Sequence, residues 1–155
     1  MSEFKPQFDS APDHLKHQPV LALPYEKHDG NRAEKTDAKF LTIGWAQWNP
    51  DKELSAKVLR FVGEKWSRQS EELPLTRAID LAALVAIAFR DRDAKAVELP
   101  AGFLENQDEP VHLDRLDGVR FRGGFAQALE EDEVLRRRLG RLADVLADLR
   151  ERGAI

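Results

Sequence analysis

The 155-residue chain has no cysteine, one methionine, one tyrosine and only four histidines. Without cysteine there is no disulfide, no thiolate zinc site and no cysteine nucleophile. Long apolar runs are missing too. The longest, Leu81 to Phe89 (LAALVAIAF), falls far short of the ~20 residues a bilayer span needs. The opening MSEFKPQFDSAPDHLKHQP has no apolar core and does not read as a signal peptide. Charge of one sign is not dominant: 24 Lys and Arg stand against 28 Asp and Glu, a net −4. That balance argues against a whole-surface polyanion binder and leaves room only for a local basic patch, so nucleic acid is not an expected partner. Also absent are GxSxG, HExxH, a Walker loop and a dinucleotide-binding glycine fingerprint. No catalytic residue, metal ligand or cofactor is assigned from motifs, and the expectation is a soluble cytoplasmic protein with no membrane partner.

What is present is 42% hydrophobic and 34% charged residues, enough to build a core. Residues 1–18 carry Pro6, Pro12 and few apolar positions, which reads as a mobile N-terminal arm. Residues 19–155 then read as a single domain, since domains commonly run about 100–200 residues. Val20 to Tyr25 (VLALPY) is an edge strand or extended cover, because Pro24 removes a ladder donor. The clearest β signal is Lys39 to Trp48 (KFLTIGWAQW). The turn Asn49-Pro50-Asp51-Lys52 follows, then Leu54 to Val62 and, after Gly63-Glu64, Lys65 to Gln69. Three runs with short turns predict an antiparallel meander. Alternation puts Leu41, Ile43, Trp45 and Gln47 on one face of its first strand and Phe40, Thr42, Gly44, Ala46 and Trp48 on the other.

Leu75 to Arg90 reads as a helix with Pro74 in the lead-in and Glu71 and Glu72 at the positive end of its dipole. Its stretch 81–89 is apolar all round, the pattern of a buried central helix. Ala96–Leu99 and Val111–Leu116 are weaker strand signals, and Asp117-Gly118 is a hairpin turn into Val119–Arg122. Beyond Gly123-Gly124 the chain reads as helical to Arg152, with Leu135, Leu139, Leu142, Leu146 and Leu149 forming a stripe. The predicted class is α+β: an antiparallel sheet, a three-stranded meander plus weaker strands, covered by a buried central helix and a long C-terminal helix. The leucine stripe suits packing on the sheet, or a homodimer through the last helix.

Candidate binding residues gather in two places. Lys65, Trp66, Arg68, Gln69 and Glu71, with Arg77 further on, offer an aromatic wall, cations and amide donors between a strand and a helix. Trp66 and Arg68 share a face by parity, so they could converge on an anionic group; the structural alternative is Trp66 in the core and Arg68 paired with a glutamate. Arg120 and Arg122 before Gly123-Gly124 form the second place, where backbone N–H groups can approach an anion. His28 beside Asp29 is a third candidate in a polar turn. His14 and His17 have a chelating spacing without a third ligand nearby, and Asp91-Arg92-Asp93 resembles a magnesium-binding turn, but a charged helix exit explains it equally well. Trp45 and Trp48 would make a stacking platform on one face, yet alternation splits them, so core packing is the better reading.

Leu23-Pro24-Tyr25, Asp29-Gly30, Thr36-Asp37-Ala38-Lys39, Ile43-Gly44-Trp45-Ala46-Gln47-Trp48 and Trp66-Ser67-Arg68-Gln69-Ser70-Glu71-Glu72-Leu73-Pro74-Leu75 carry a resemblance. Over roughly residues 20–90 the chain resembles a small bacterial family of uncharacterised function. The resemblance implies a bacterial, cytoplasmic protein and brings no activity or site residue. The function read from the residues is a non-enzymatic binding or regulatory module for a protein partner or a small anionic ligand. The alternative is a small enzyme on a nucleotide or phosphoester, with His28 or Glu71 as base and Arg68 or Arg122 stabilising charge. Geometry separates them: an enzyme needs a concave pocket holding those groups, a protein-binding module a flat apolar patch.

Overall fold

In a computed structural model, residues 5–50, 52–113 and 125–155 are described. Residues 1–79 and 80–155 form two compact units. The class is α+β, with an antiparallel sheet and a long C-terminal helix.

The first unit is the sheet. Strand β2 (Ala38–Trp45) and strand β3 (Leu54–Val62) pair antiparallel, with Leu41 opposite Val58 and Ile43 opposite Ala56. Their β-branched and aromatic residues fit a pleated, half-buried surface. The connection is tied by Ala46 N–H donating to Glu53 O at 2.9 Å and by Trp48 Nε1 donating to Glu53 Oε2 at 2.7 Å. On the other side of β2 lies β1 (Gln18–Pro24), with Leu21 opposite Ile43 and Leu23 opposite Leu41. Strand β3 is long enough to pair twice more. Its far end meets β4 (Lys65–Trp66) across Gly63, whose φ of +65° suits a residue without a Cβ. Its near end meets β5 (Glu72–Pro74). β4 is shorter than the predicted strand 65–69, and Glu72 lies in β5 rather than in a helix lead-in.

The two faces of β2 alternate buried and half-buried as parity predicts. The inner face carries Ala38, Phe40 and Thr42 of β2 with Ser55 and Leu59 of β3, all buried. The segment before β1 contributes here: the Phe8 ring lies 4.9 Å from Phe61 and 4.7 Å from Trp66 between centroids, and Trp66 also meets Phe61 at 5.4 Å. The outer face carries cross-strand rows of apolar residues, Leu21–Ile43–Ala56–Leu73 and Leu23–Leu41–Val58.

Helix α1 (Leu75–Arg90) starts in the first unit and runs into the second. Its limits match the sequence reading, but it is not buried all round. Ile87 is its buried residue, while Ile79, Leu81, Leu84 and Val85 are exposed. Ala82, Ala83, Ala86 and Ala88 raise the apolar count of this stretch with little side chain to bury, so composition overstates its burial. In the second unit Ile87 clusters with Val97 and Leu99, with Leu104 and Leu113 against them. Val97 and Leu99 belong to β6 (Val97–Leu99), which pairs with β7 (Val111–Leu113). Gln107 organises the intervening loop, its Nε2 donating to the carbonyls of Pro100 at 3.0 Å and Glu109 at 2.9 Å. Helix α2 (Phe125–Glu131) leads into α3 (Glu133–Glu151), capped by Asp132, which accepts from Leu135 N–H at 2.9 Å. Arg92 pairs with Glu130, and its guanidinium lies 4.8 Å from the Phe89 ring centroid. The predicted turn at Asp117-Gly118, the strand 119–122 and Gly123-Gly124 lie outside the described residues.

Candidate functional site

Two features of the first unit stand out, one on each face of the sheet. On the inner face four polar side chains that the sequence scatters over 55 residues meet out of water. His17, one residue before β1, is 1% exposed; Ser55 is 0%, Thr42 4% and Glu72 7%. His17 Nδ1 lies 2.7 Å from Glu72 Oε1 and 3.0 Å from Ser55 Oγ, and its Nε2 lies 2.9 Å from Thr42 Oγ1. Thr42 Oγ1 donates to Lys57 O at 2.7 Å. Ser55 Oγ donates to Glu72 Oε1 at 2.5 Å, and Gln47 N–H donates to the same oxygen at 3.1 Å. Glu72 Oε2 and Ser70 Oγ are buried without a partner.

Strand geometry explains the convergence. Thr42 pairs with Lys57, and Lys57 pairs with Glu72, so adjacent strands bring Thr42 and Glu72 onto one face. Gly44 brings His17 in. A Cβ at position 44 would sit 2.0 Å from Gln18 O, so only glycine lets the start of β1 approach β2 this closely. The order Thr42–His17–Glu72 has the sequence of a nucleophile, base and orienting acid. The geometry does not run that relay: the Thr42 hydroxyl proton is given to a carbonyl, and the group is closed off from substrate.

On the outer face the apolar rows form an open groove of about 590 Å³, lined among others by Leu21, Leu23, Ile43, Val58 and Leu73. Leu21 is 67% exposed, Leu23 52% and Val58 37%. By the usual strand spacings the four-residue row covers roughly 15 Å across the strands and the three-residue row roughly 10 Å, and Trp45 with Leu54 extends them along the sheet. The β1 edge is blunted by Pro19 and Pro24, which lack the N–H an added strand would need.

The residues singled out from sequence do not form one site. Glu71 lines the outer groove. Trp66 has its ring in the aromatic cluster with Phe8, Phe61 and Phe40, the last at 6.2 Å. Lys65, Arg68, Gln69 and Arg77 are exposed and do not line that groove, nor does His28, exposed in the turn after β1. Arg120 and Arg122 lie outside the described residues. Asp91 is held below the ordinary carboxylate range by its hydrogen bond from Arg90, at 2.7 Å. His112 is exposed, its Nδ1 3.3 Å from Glu98 Oε2. Among the described residues no three His, Cys, Asp or Glu side chains are placed to hold a metal, and no helix is long and apolar enough to cross a membrane.

Sequence reasoning missed His17, Thr42, Ser55 and Glu72 as a group. The one available signal was local: a threonine and a glycine interrupt the β2 face that carries Phe40.

A sheet with a sealed polar network on one face and an open apolar groove on the other defines a small α+β module. The chain belongs to a family of unknown function, DUF6530, whose model matches residues 10–111. That span takes in the whole sheet, the buried network and the outer groove. No curated protein and no solved structure matches the chain.

Proposed function

We propose that this chain is a non-enzymatic binding module that takes an apolar helix of a protein partner on the outer face of its sheet. The observation that carries the reading is the exposure of Leu21, Leu23 and Val58 in register on one face. The largest apolar patch on an ordinary monomer is about 300–600 Å² and is often functional. An amphipathic helix laid into an apolar groove is a recurrent mode of protein recognition, and the proline-blunted edge disfavours the rival mode of strand addition. A protein partner is favoured over a small anion because the groove is lined mainly by apolar residues, and its charged lining residues, Glu71 and Lys57, are of opposite sign. The enzyme alternative has less support, since His28 and Arg68 do not line the groove with Glu71.

A photo-crosslinking side chain placed at Leu23 in cells tests this. The expected result is a discrete adduct with one other polypeptide, not formed from the same side chain at the exposed turn residue Glu64. Leu21→Asp with Val58→Asp should remove the adduct and leave stability within about 0.5 kcal/mol per exposed site. Equal adducts from positions 23 and 64, or an adduct of twice the chain's own mass, would overturn the proposal.

A further inference from the structure

Residues 5–10 lie on the inner face of the sheet as a short peptide lies on a receptor. They form no helix or strand, and Pro6, Gln7, Asp9 and Ser10 are exposed. Phe8 is the residue that enters the fold. It is half-buried, with its ring centroid 4.7 Å from Trp66 and 4.9 Å from Phe61, and the buried Phe40 ring stands 6.2 Å behind Trp66. The backbone is held one residue earlier, where Gln7 N–H donates to Glu26 Oε2 at 2.9 Å. Glu26 is 7% exposed, and its other oxygen is 2.6 Å from Lys39 Nζ, which donates in turn to Thr36 O at 2.7 Å. The carboxylate is thus fixed from within the fold, and its Oε2 is the atom left for a peptide N–H. Pro6 and Phe8 also border a cavity of about 20 Å³ with Pro24 and Phe40, so the arm does not fill the site. Among the described residues, 9–16 make no hydrogen bond to the sheet, so residues 6–8 can lift while β1 stays paired with β2.

We propose that this is a recognition site for a short peptide segment of a partner protein, with phenylalanine two residues after an apolar residue, and that Pro6-Gln7-Phe8 occupies it in cis. The aromatic cluster selects the phenylalanine, since Phe61 and Trp66 meet the ring edge to face and tilted. At the middle position the N–H is what Glu26 recognises and the Gln7 side chain plays no part, so any residue except proline serves there. An occupant tethered to its own site is present at an effective concentration on the order of mM. A free segment therefore meets a mostly filled site, and its apparent affinity falls by the fraction of chains whose arm is lifted. A second copy's arm is the same peptide without the tether and loses that competition. A foreign segment that fills the cavity beside Pro6 gains contacts the arm lacks. The site lies on the face opposite the apolar groove and does not depend on the helix-binding reading.

The test is fluorescence polarisation with a labelled synthetic peptide of residues 5–10, KPQFDS, added to the full chain carrying Phe8→Ala. Binding should saturate and be about tenfold or more tighter than to the wild-type chain, whose own arm competes. The same peptide with alanine in place of its phenylalanine should bind about tenfold or more weakly than KPQFDS. Hydrogen exchange of the wild-type chain alone supplies a second reading. The Gln7 amide should be protected, yet exchange about tenfold or more faster than the amides of β2 and β3, because the arm opens by itself. Equal binding of the phenylalanine and alanine peptides to the folded variant would overturn the proposal. So would a Gln7 amide with no protection, or one exchanging as slowly as β2 and β3, which would make the arm a fixed part of the sheet. The exchange reading uses the wild-type chain and decides the matter if Phe8→Ala fails to fold.

Discussion

Asp37 and Arg60 meet where the β2–β3 ladder ends in a bulge between Ala38 and Phe40. Arg60 Nε and Nη2 both donate to Asp37 Oδ2, at 3.0 and 2.5 Å. The Arg60 hydrogen bond, ahead of its charge, holds the Asp37 carboxyl below the ordinary carboxylate range. A depressed carboxyl stabilises the fold above its unfolded value, and that contribution disappears as pH falls through the folded value. Both side chains are more than a third exposed, so the contribution is the modest one of a solvated pair. Asp37→Asn should lower the urea midpoint at neutral pH and flatten its decline on the acid side. An identical acid profile in wild type and variant would show that the pair contributes nothing. Aspartate before a strand and arginine within one are visible in the sequence, but their pairing depends on register. His17 was less legible still. Its partners lie 25, 38 and 55 residues away, and its own neighbourhood of prolines and charges shows no periodicity that would bury it.

Elements were more legible than contacts because their signals are local. Apolar and β-branched runs around an Asn-Pro turn gave β2 and β3, and proline-led helical composition gave the limits of α1. Where the reading failed, the reason is distance along the chain. β5 is a three-residue strand with charged neighbours, and Glu72 serves as a buried acceptor inside it, which no window of its own sequence reveals. Trp66 reads either as one wall of a site with Arg68 or as core. Its ring packs in the aromatic cluster, and its neighbour there, Phe8, lies 58 positions earlier, beyond the reach of any local signal. Gly44 links these distant pieces. Alanine there would put a methyl group 2.0 Å from the Gln18 carbonyl, and both clashing groups are fixed, one in each strand. Gly44→Ala should therefore shift β1 off β2, drag His17 from its partners and cost at least the 1–3 kcal/mol typical of overpacking. Urea unfolding measures the loss, and hydrogen exchange should locate it in β1. A stability change below about 0.5 kcal/mol would mean that β1 does not hold this register.

At the scale of the whole molecule, the family match ends at residue 111, at the start of β7, and α3 lies beyond it. The helix is well made on its own terms: Asp132 caps it, and Arg152 bonds back to Asp148 at 2.9 Å near its end. At 1.5 Å per residue its 19 residues run about 28 Å. Leu142, Val145 and Leu146 are exposed along it, while Leu135, Leu139 and Leu149 are half-buried on the same stripe. An exposed stripe of that length pairs naturally with its own copy, since two-fold symmetry sets one stripe against another. The expected state is therefore a dimer in sedimentation equilibrium, reduced to the mass of one chain by Leu142→Asp. Leu142 is 39% exposed, so the variant should keep its fold and the wild-type circular dichroism. The sheet face and the helix stripe then separate cleanly by experiment. Leu142→Asp should leave the crosslink from Leu23 in place, whereas a wild-type chain already monomeric at high concentration would remove the dimer from the account.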